Sequence, residues 1–224
     1  LFDPLGGEPG FTIPAGIIRS GTTSLGFDKG SMSARFRGEY GATHLNYPVY
    51  GRHPYDAQGA ATEFKELRLR SCSHDTHSWQ GTAENPPVPY GSPAITRSGD
   101  AQLIRNIWIE DMQLRMGQPG KHGRMVNMFV NGNYYGIYHI QEHADEDYMG
   151  SYYPGGSEEY HFTGGATTGS THDTESWSQV WAQLKSSLGN YAEAQRWVDV
   201  TNLADYMILS FYAGNDWDWT TQHN

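Results

Sequence analysis

The residues best suited to chemistry gather in the stretch Tyr212-Ala213-Gly214-Asn215-Asp216-Trp217-Asp218-Trp219-Thr220-Thr221-Gln222-His223-Asn224. It directly follows the most apolar helical pattern in the chain. A carboxylate just past a rigid helix is held in place, as a catalytic base or a metal ligand must be. Asp216 and Asp218 both answer to that description. Asn224, six residues after Asp218, can offer a neutral oxygen to a hard cation such as Mg2+. The same residues suit a plain helix-stop turn, since Asn and Asp favour turns. Spacing alone leaves both readings open, and the two tryptophans favour a site.

Other candidates are more isolated. Lys29 follows the small-residue loop Gly21-Thr22-Thr23-Ser24-Leu25-Gly26-Phe27. Such a loop lets backbone N–H groups approach phosphates while a lysine neutralises them; from the residues alone a solvated lysine at a strand start is the favoured reading. Arg105, beside Asn106, is either a ligand contact or an ordinary helix-surface residue. Arg19, Arg35, Arg37, Arg68 and Arg70 make the first half locally basic. They either bind anions or pair with acids of the second half. Cys72, His74, Asp75 and His77 match no standard zinc spacing. No G-x-S-x-G nucleophile elbow is present.

The elements that must position these residues change character along the chain. Residues 1–16 are rich in Pro and Gly and read as an irregular lead-in. Ile17 to Ser20 reads as a strand. Met32, Ala34 and Phe36 alternate with polar residues, the pattern of a half-buried strand. Residues 41–62 read as a loop or insertion, and Phe64 to Arg70 as a strand. The proline-rich polar run 71–98 reads as a long loop. Ser98 is placed to cap a helix over about 100–116, stopped by Gly117 and Pro119. Val126–Val130 and Tyr134–Ile140 flank Asn131-Gly132, a type I′ hairpin signal because both turn residues need positive φ. A helical pattern follows Glu142, and a Gly/Ser/Thr-rich stretch covers 150–172. A further helix carries Trp177, Val180, Trp181, Leu184 and Leu188. The last helix, capped by Thr201, runs from Leu203 to Tyr212. Apolar nearly all round, it is expected to be buried. The fold class expected is α+β: a lead-in over 1–16, a sheet-rich portion over 17–141 with one helix, and a helical portion over 142–224.

Composition sets limits. The chain has 224 residues, a formal charge of −10, 37% hydrophobic and 13% aromatic residues. The charge argues against bulk binding of nucleic acid. No apolar run approaches the ~20 residues of a membrane-spanning helix. One cysteine excludes an intrachain disulfide without fixing the compartment. The chain opens Leu1-Phe2-Asp3, with neither Met nor a visible signal peptide, so a piece of a longer chain is expected.

The chain resembles the CotH kinase family, atypical kinase-like proteins named after a spore-coat protein. Three stretches carry the likeness. Phe64-Lys65-Glu66-Leu67-Arg68-Leu69-Arg70-Ser71, with Asp75, is similar to the family's Phe-Lys…Leu-Arg-Asn…Asn-Asp. Val130-Asn131-Gly132-Asn133-Tyr134-Tyr135-Gly136-Ile137-Tyr138, then Gln141-Glu142-His143-Ala144-Asp145, is similar to Val-Asn-Gly-Glu-Tyr-Trp-Gly-(Ile/Val)-Tyr…Glu-Arg…Asp. Gly214-Asn215-Asp216-Trp217-Asp218-Trp219…Asn224 is similar to Gly-Asn…Asp-Trp…Asn. The likeness runs from about residue 15 to the end.

The resemblance implies a protein-kinase-like fold with a sheet-rich N-lobe, a hinge near Gln141-Glu142 and a partial helical C-lobe. It implies ATP between the lobes with Mg2+ or Mn2+, and transfer of the γ-phosphate to a protein Ser/Thr hydroxyl. By motif position Asp218 would orient that hydroxyl, with Asp216 the alternative, and Asp218 and Asn224 would hold metal. Lys29 and Arg105 would contact the nucleotide, and Gln141 and Glu142 would border its adenine. His143 departs from the family's Arg, Leu25 and Gly30 stand near the loop where Arg and Lys are expected, and Ser71-Cys72-Ser73-His74 replaces a more glycine-rich run. The family's second metal-binding aspartate would lie beyond Asn224, so the chain alone is expected to be nearly inactive. The acceptor implied is a surface or coat protein, and the location extracytoplasmic or at the cell surface. Two competing readings remain: a non-catalytic cell-surface binding or structural module, suited by the seven Trp and fifteen Tyr, and a kinase-fold enzyme transferring AMP or glutamate.

Overall fold

The Asn131-Gly132 pair makes the turn its chemistry favours. Both residues take positive φ, 51° and 80°, and join β6 (Gly123–Val130) to β7 (Asn133–Glu142). The computed structural model describes residues 9–21, 29–51, 59–72, 102–162 and 174–214, with backbone only for 174–177. The hairpin forms one side of a five-stranded antiparallel sheet. Its other strands are β1 (Gly16–Ser20), β2 (Ser31–Arg35) and β5 (Glu66–Arg70), in the order β1-β2-β5-β7-β6. The order follows from two hairpin-type pairings, β1 with β2 and β6 with β7, joined through the central β5.

The 41–62 segment is more than a loop. It carries β3 (Leu45–Asn46) and leads into β4 (Glu63–Phe64), which pair as a second, two-stranded sheet. It also supplies much of the core: Leu45, Val49 and Tyr50 pack with Phe36, Phe64, Leu67 and Ile140. The short apolar residues that make this possible are scattered between prolines and glycines, so no periodicity announced them. β2 likewise departs from the half-buried pattern. Ser33, on its polar face, is fully buried, and its hydroxyl has no hydrogen-bond partner among the described residues.

The helix α1 spans Arg105–Arg115, starting later than the expected Asp100. Leu103 takes a φ of +64°, a left-handed conformation that no helix propagates through. Gly117, at φ +77°, ends it as expected. Then come α2 (Glu146–Tyr152), a 3-10 turn at Ser157–Glu159, α3 (Thr174–Ser186), α4 (Tyr191–Ala194) and α5 (Val200–Tyr212). Asp145 caps α2 by accepting from the Tyr148 N–H at 2.9 Å. The cap of α5 is Asp199, accepting from Asn202 N–H at 3.0 Å, so the helix begins before Thr201. The Ser98 cap lies outside the described residues.

The architecture is mixed α+β, as the residue pattern indicates. Internal contacts divide the chain into two units. The sheet unit takes Leu1–Glu110 and Lys121–His143; the helical unit takes Asp111–Gly120 and Ala144–Asn224. In the helical unit Gln118 is tied to α5, donating to Asp205 at 2.6 Å and accepting from Asn202 at 2.9 Å. α5 itself is not the buried helix its composition suggests. Leu209 and Ser210 are buried, but Ile208, Phe211 and Tyr212 are exposed, Tyr212 at 81%. An apolar surface creates a tendency to bury; it does not supply a surface to bury against.

Candidate functional site

Asp216, Asp218 and Asn224 lie outside the described residues, as do His74, Asp75 and His77. Gly214, at φ +64°, ends α5 directly before them. The described candidates are Lys29, Gln141, Glu142 and Arg105, all in the sheet unit.

Lys29 stands beside β7. Its amine donates to the Ile137 carbonyl at 2.5 Å and sits 4.8 Å from the centre of the Tyr138 ring. Gly136, at φ +122°, makes the room: a Cβ there would stand 3.2 Å from Lys29 Cε. The glycine of the Tyr-Gly-Ile-Tyr run therefore serves the lysine as well as the backbone. Burial holds the Lys29 amine below the usual lysine range, an effect the nearby Cys72 opposes. Tyr138 is itself buried, and its hydroxyl donates to the Gly30 carbonyl at 2.9 Å. Burial first, and Tyr135 second, push its pKa up to about 12.

Gln141 and Glu142 end β7, some 15 Å of strand from Ile137 at roughly 3.3 Å per residue. Their side chains are already engaged. Asn106 in α1 donates to Gln141 Oε1 at 3.0 Å. Glu142 Oε2 receives the backbone N–H of His122 at 2.8 Å and lies 2.9 Å from its Nδ1. An ionised carboxylate only accepts, so Nδ1 carries the proton in that contact. His122 is 1% exposed and the Glu142 side chain 3%. The pair locks the start of β6 to the end of β7. Its sequence signal was hidden by a β-bulge between Met128 and Phe129. Counting back from the turn without the bulge would set His122 opposite Gln141; one extra residue sets it opposite Glu142. Arg105 is exposed at the first position of α1. Lys29 thus meets β7 at Ile137 and Tyr138, while the Gln141-Glu142 pair ends the same strand.

The arginines sort by partner. Arg35 Nε pairs with Glu66 at 2.7 Å and Arg68 Nε with the same carboxylate at 3.2 Å. These pairings are made within the sheet, where an acid of the second half was one expectation. Arg68 also reaches both ring nitrogens of His143, at 3.1 and 3.2 Å. Arg70 makes neither a hydrogen bond nor an ion pair among the described residues. Its registered neighbour on β7 is His139, which is 1% exposed and has no partner for either ring nitrogen among the described residues. Burial first, then Arg70 and Lys121, lower the His139 pKa to about 3. The ring is neutral and lies over Gly123, where a Cβ would come within 2.0 Å of Nε2. Lys121 is matched to Glu110, with its amine at 2.7 Å and its backbone N–H at 2.9 Å. No group of three or more His, Cys, Asp or Glu among the described residues could hold a metal.

These features define a mixed α+β protein whose antiparallel sheet carries a lysine against a strand carbonyl and a basic strand beside it. The family model described as CotH kinase protein matches residues 96–224, and the chain belongs to that family. The matched span takes in α1, the Asn131-Gly132 hairpin and the Asp216–Asn224 stretch. Lys29 and the Phe64–Ser71 segment lie before it. Membership points to a kinase-like function. Comparison with curated proteins gives no match.

Proposed function

We propose that the chain is an ATP- and divalent-metal-dependent phosphotransferase of the CotH kinase type, with a kinase-like fold. The family match across residues 96–224 carries this reading. The five-stranded sheet with α1 inserted between β5 and β6 supports it. In this reading the γ-phosphate passes to a Ser or Thr hydroxyl of a protein. Asp218 orients that hydroxyl, with Asp216 as the alternative, while Asp218 and Asn224 hold Mg2+ or Mn2+, which neutralises phosphate charge. Lys29 contacts phosphate, Arg105 assists from the start of α1, and the Gln141-Glu142 end of β7 borders the adenine through its backbone, since both side chains are engaged. The acceptor is a surface or coat protein and the location is outside the cytoplasm, as the family's spore-coat association suggests.

The test is phosphate incorporation from ATP with Mn2+, followed by mass spectrometry of modified Ser and Thr. Asp218→Ala should abolish transfer. Loss in Asp216→Ala alone would move the role to that residue. Absence of both transfer and ATP binding would favour a non-catalytic binding module. One observation speaks for that second reading: Phe129, Tyr134 and Tyr135 stand exposed on the β6–β7 hairpin.

A further inference from the structure

The outer half of the β6–β7 hairpin carries apolar rings that the core does not use. Directly opposed residues of an antiparallel pair share a face, and the register opposes Asn127 to Ile137 and Phe129 to Tyr134. These four side chains therefore lie on one face in adjacent rows. All four are exposed, Phe129 at 59% and Tyr134 at 57%. Tyr135, the extra residue at the bulge, instead stacks with Tyr138, which belongs to the other face. Phe129 and Tyr134 stand with ring centres 5.5 Å apart and planes at 60°. Such a pair makes a notch, with one ring as floor and the other as wall. The Tyr134 hydroxyl reaches Asn127 Oδ1 at 3.4 Å, too long for a strong bond. A hydroxyl and a primary amide thus stand at the edge of the notch with donors to offer.

Three observations narrow the occupant. No residue from Met125 to Tyr138 is charged, in a chain of formal charge −10, so a charged ligand finds no counter-ion on the hairpin. Phe129, Tyr134 and Ile137 are too few for a stable protein interface, which takes roughly 20–30 residues and about 800 Å2 from each partner. A membrane fits no better. The polar Asn131-Gly132-Asn133 turn leads the hairpin and would have to enter lipid first, leaving backbone groups unsatisfied. What matches is a small, uncharged ring with one apolar face. A pyranose is such a ring. Its axial C–H groups carry partial positive charge onto the negative face of an aromatic ring. Its hydroxyls lie around the rim, where the Asn127 amide and the Tyr134 hydroxyl can meet them.

We propose that Asn127, Phe129, Tyr134 and Ile137 form a carbohydrate-binding platform that attaches the protein to a neutral glycan, one sugar ring stacking in the notch. The platform rests on the hairpin alone and holds whether or not the chain transfers phosphate.

The experiment titrates the full chain with cellohexaose, maltohexaose and chitohexaose by calorimetry, beside Tyr134→Ala, Tyr134→Phe, Phe129→Ala and Tyr191→Ala. At least one of the sugars should bind. Tyr134→Ala and Phe129→Ala should each weaken it about tenfold, the scale of one lost ring stack. Tyr134→Phe keeps the ring and should weaken it less. Tyr191→Ala, which removes a ring 65% exposed on α4, should leave binding unchanged. The circular dichroism of every variant should match the unaltered protein, since each change removes an exposed side chain. Failure of all the sugars to bind, or binding by Tyr134→Ala and Phe129→Ala equal to that of the unaltered protein, overturns the platform. So does a dimer in sedimentation that Tyr134→Ala abolishes, which assigns the patch to a second copy. Co-sedimentation with phosphatidylcholine vesicles that is lost in Tyr134→Ala overturns it in favour of a lipid surface.

Discussion

In the sheet unit the buried positions are often polar: Ser33, Ser71, His122, His139, Gln141 and Glu142 are all enclosed. In the helical unit the exposed positions are often apolar: Ile208, Phe211 and Tyr212 on α5, and Leu188 and Tyr191 before it. The sheet unit holds a packed apolar cluster on one face, so its polar groups sit in a rigid frame that fixes their partners. The helical unit orders its described helices through caps and the Gln118–Asp205–Asn202 network. Rigid enclosure makes single polar contacts expensive to break; an exposed apolar residue is cheap to remove.

That contrast predicts a ranked series. Glu142→Ala should be the most damaging, removing both His122 contacts from a dry site. A loss of about 3 kcal/mol or more is expected in urea denaturation. A loss under about 1 kcal/mol would mean that water reaches the pair. Gly123→Ala comes next. Its new Cβ would overlap His139 Nε2, whose 2.0 Å approach leaves no room, and a cost of about 2 kcal/mol is expected. Pairing it with His139→Ala should recover part of that cost, which a double-mutant cycle reads directly.

The third test is pH. His139 titrates near 6.5 when unfolded and near 3 when folded. Above 6.5 both states are neutral there and its contribution to stability is complete. As pH falls below 6.5 the unfolded chain takes a proton that the folded chain refuses. Stability should therefore drop by about 1.4 kcal/mol per pH unit between 6.5 and 3 from this group. His139→Leu should flatten that part of the profile; an unchanged slope would assign the acid sensitivity elsewhere. The smallest effect belongs to the other unit. Phe211→Ala, at a position 58% exposed, should change stability by no more than about 0.5 kcal/mol. A loss of 2 kcal/mol or more, the scale of a core truncation, would show that α5 is covered in solution and erase the contrast.

What was legible from residues alone was local. Asn131-Gly132 specified its turn because few residue pairs tolerate two successive positive φ values. Gly117 and Gly214 ended their helices for the same reason. The alternation of strands and helices indicated α+β, and the Val-Asn-Gly and Gly-Asn-Asp-Trp stretches indicated the family. What only the tertiary structure decided was pairing at a distance. The bulge in the hairpin, an extra residue on β7 opposite Met128 and Phe129, chose Glu142 for His122. Glu66 took two arginines, Arg35 and Arg68, and left Arg70 without an ion pair among the described residues. The 41–62 segment closed the core, while α5, apolar in composition, remained largely exposed. Propensity acts on a residue and its neighbours, and can be read along a chain. Register, burial and the sharing of charges depend on what the rest of the chain brings alongside, and no short stretch encodes that.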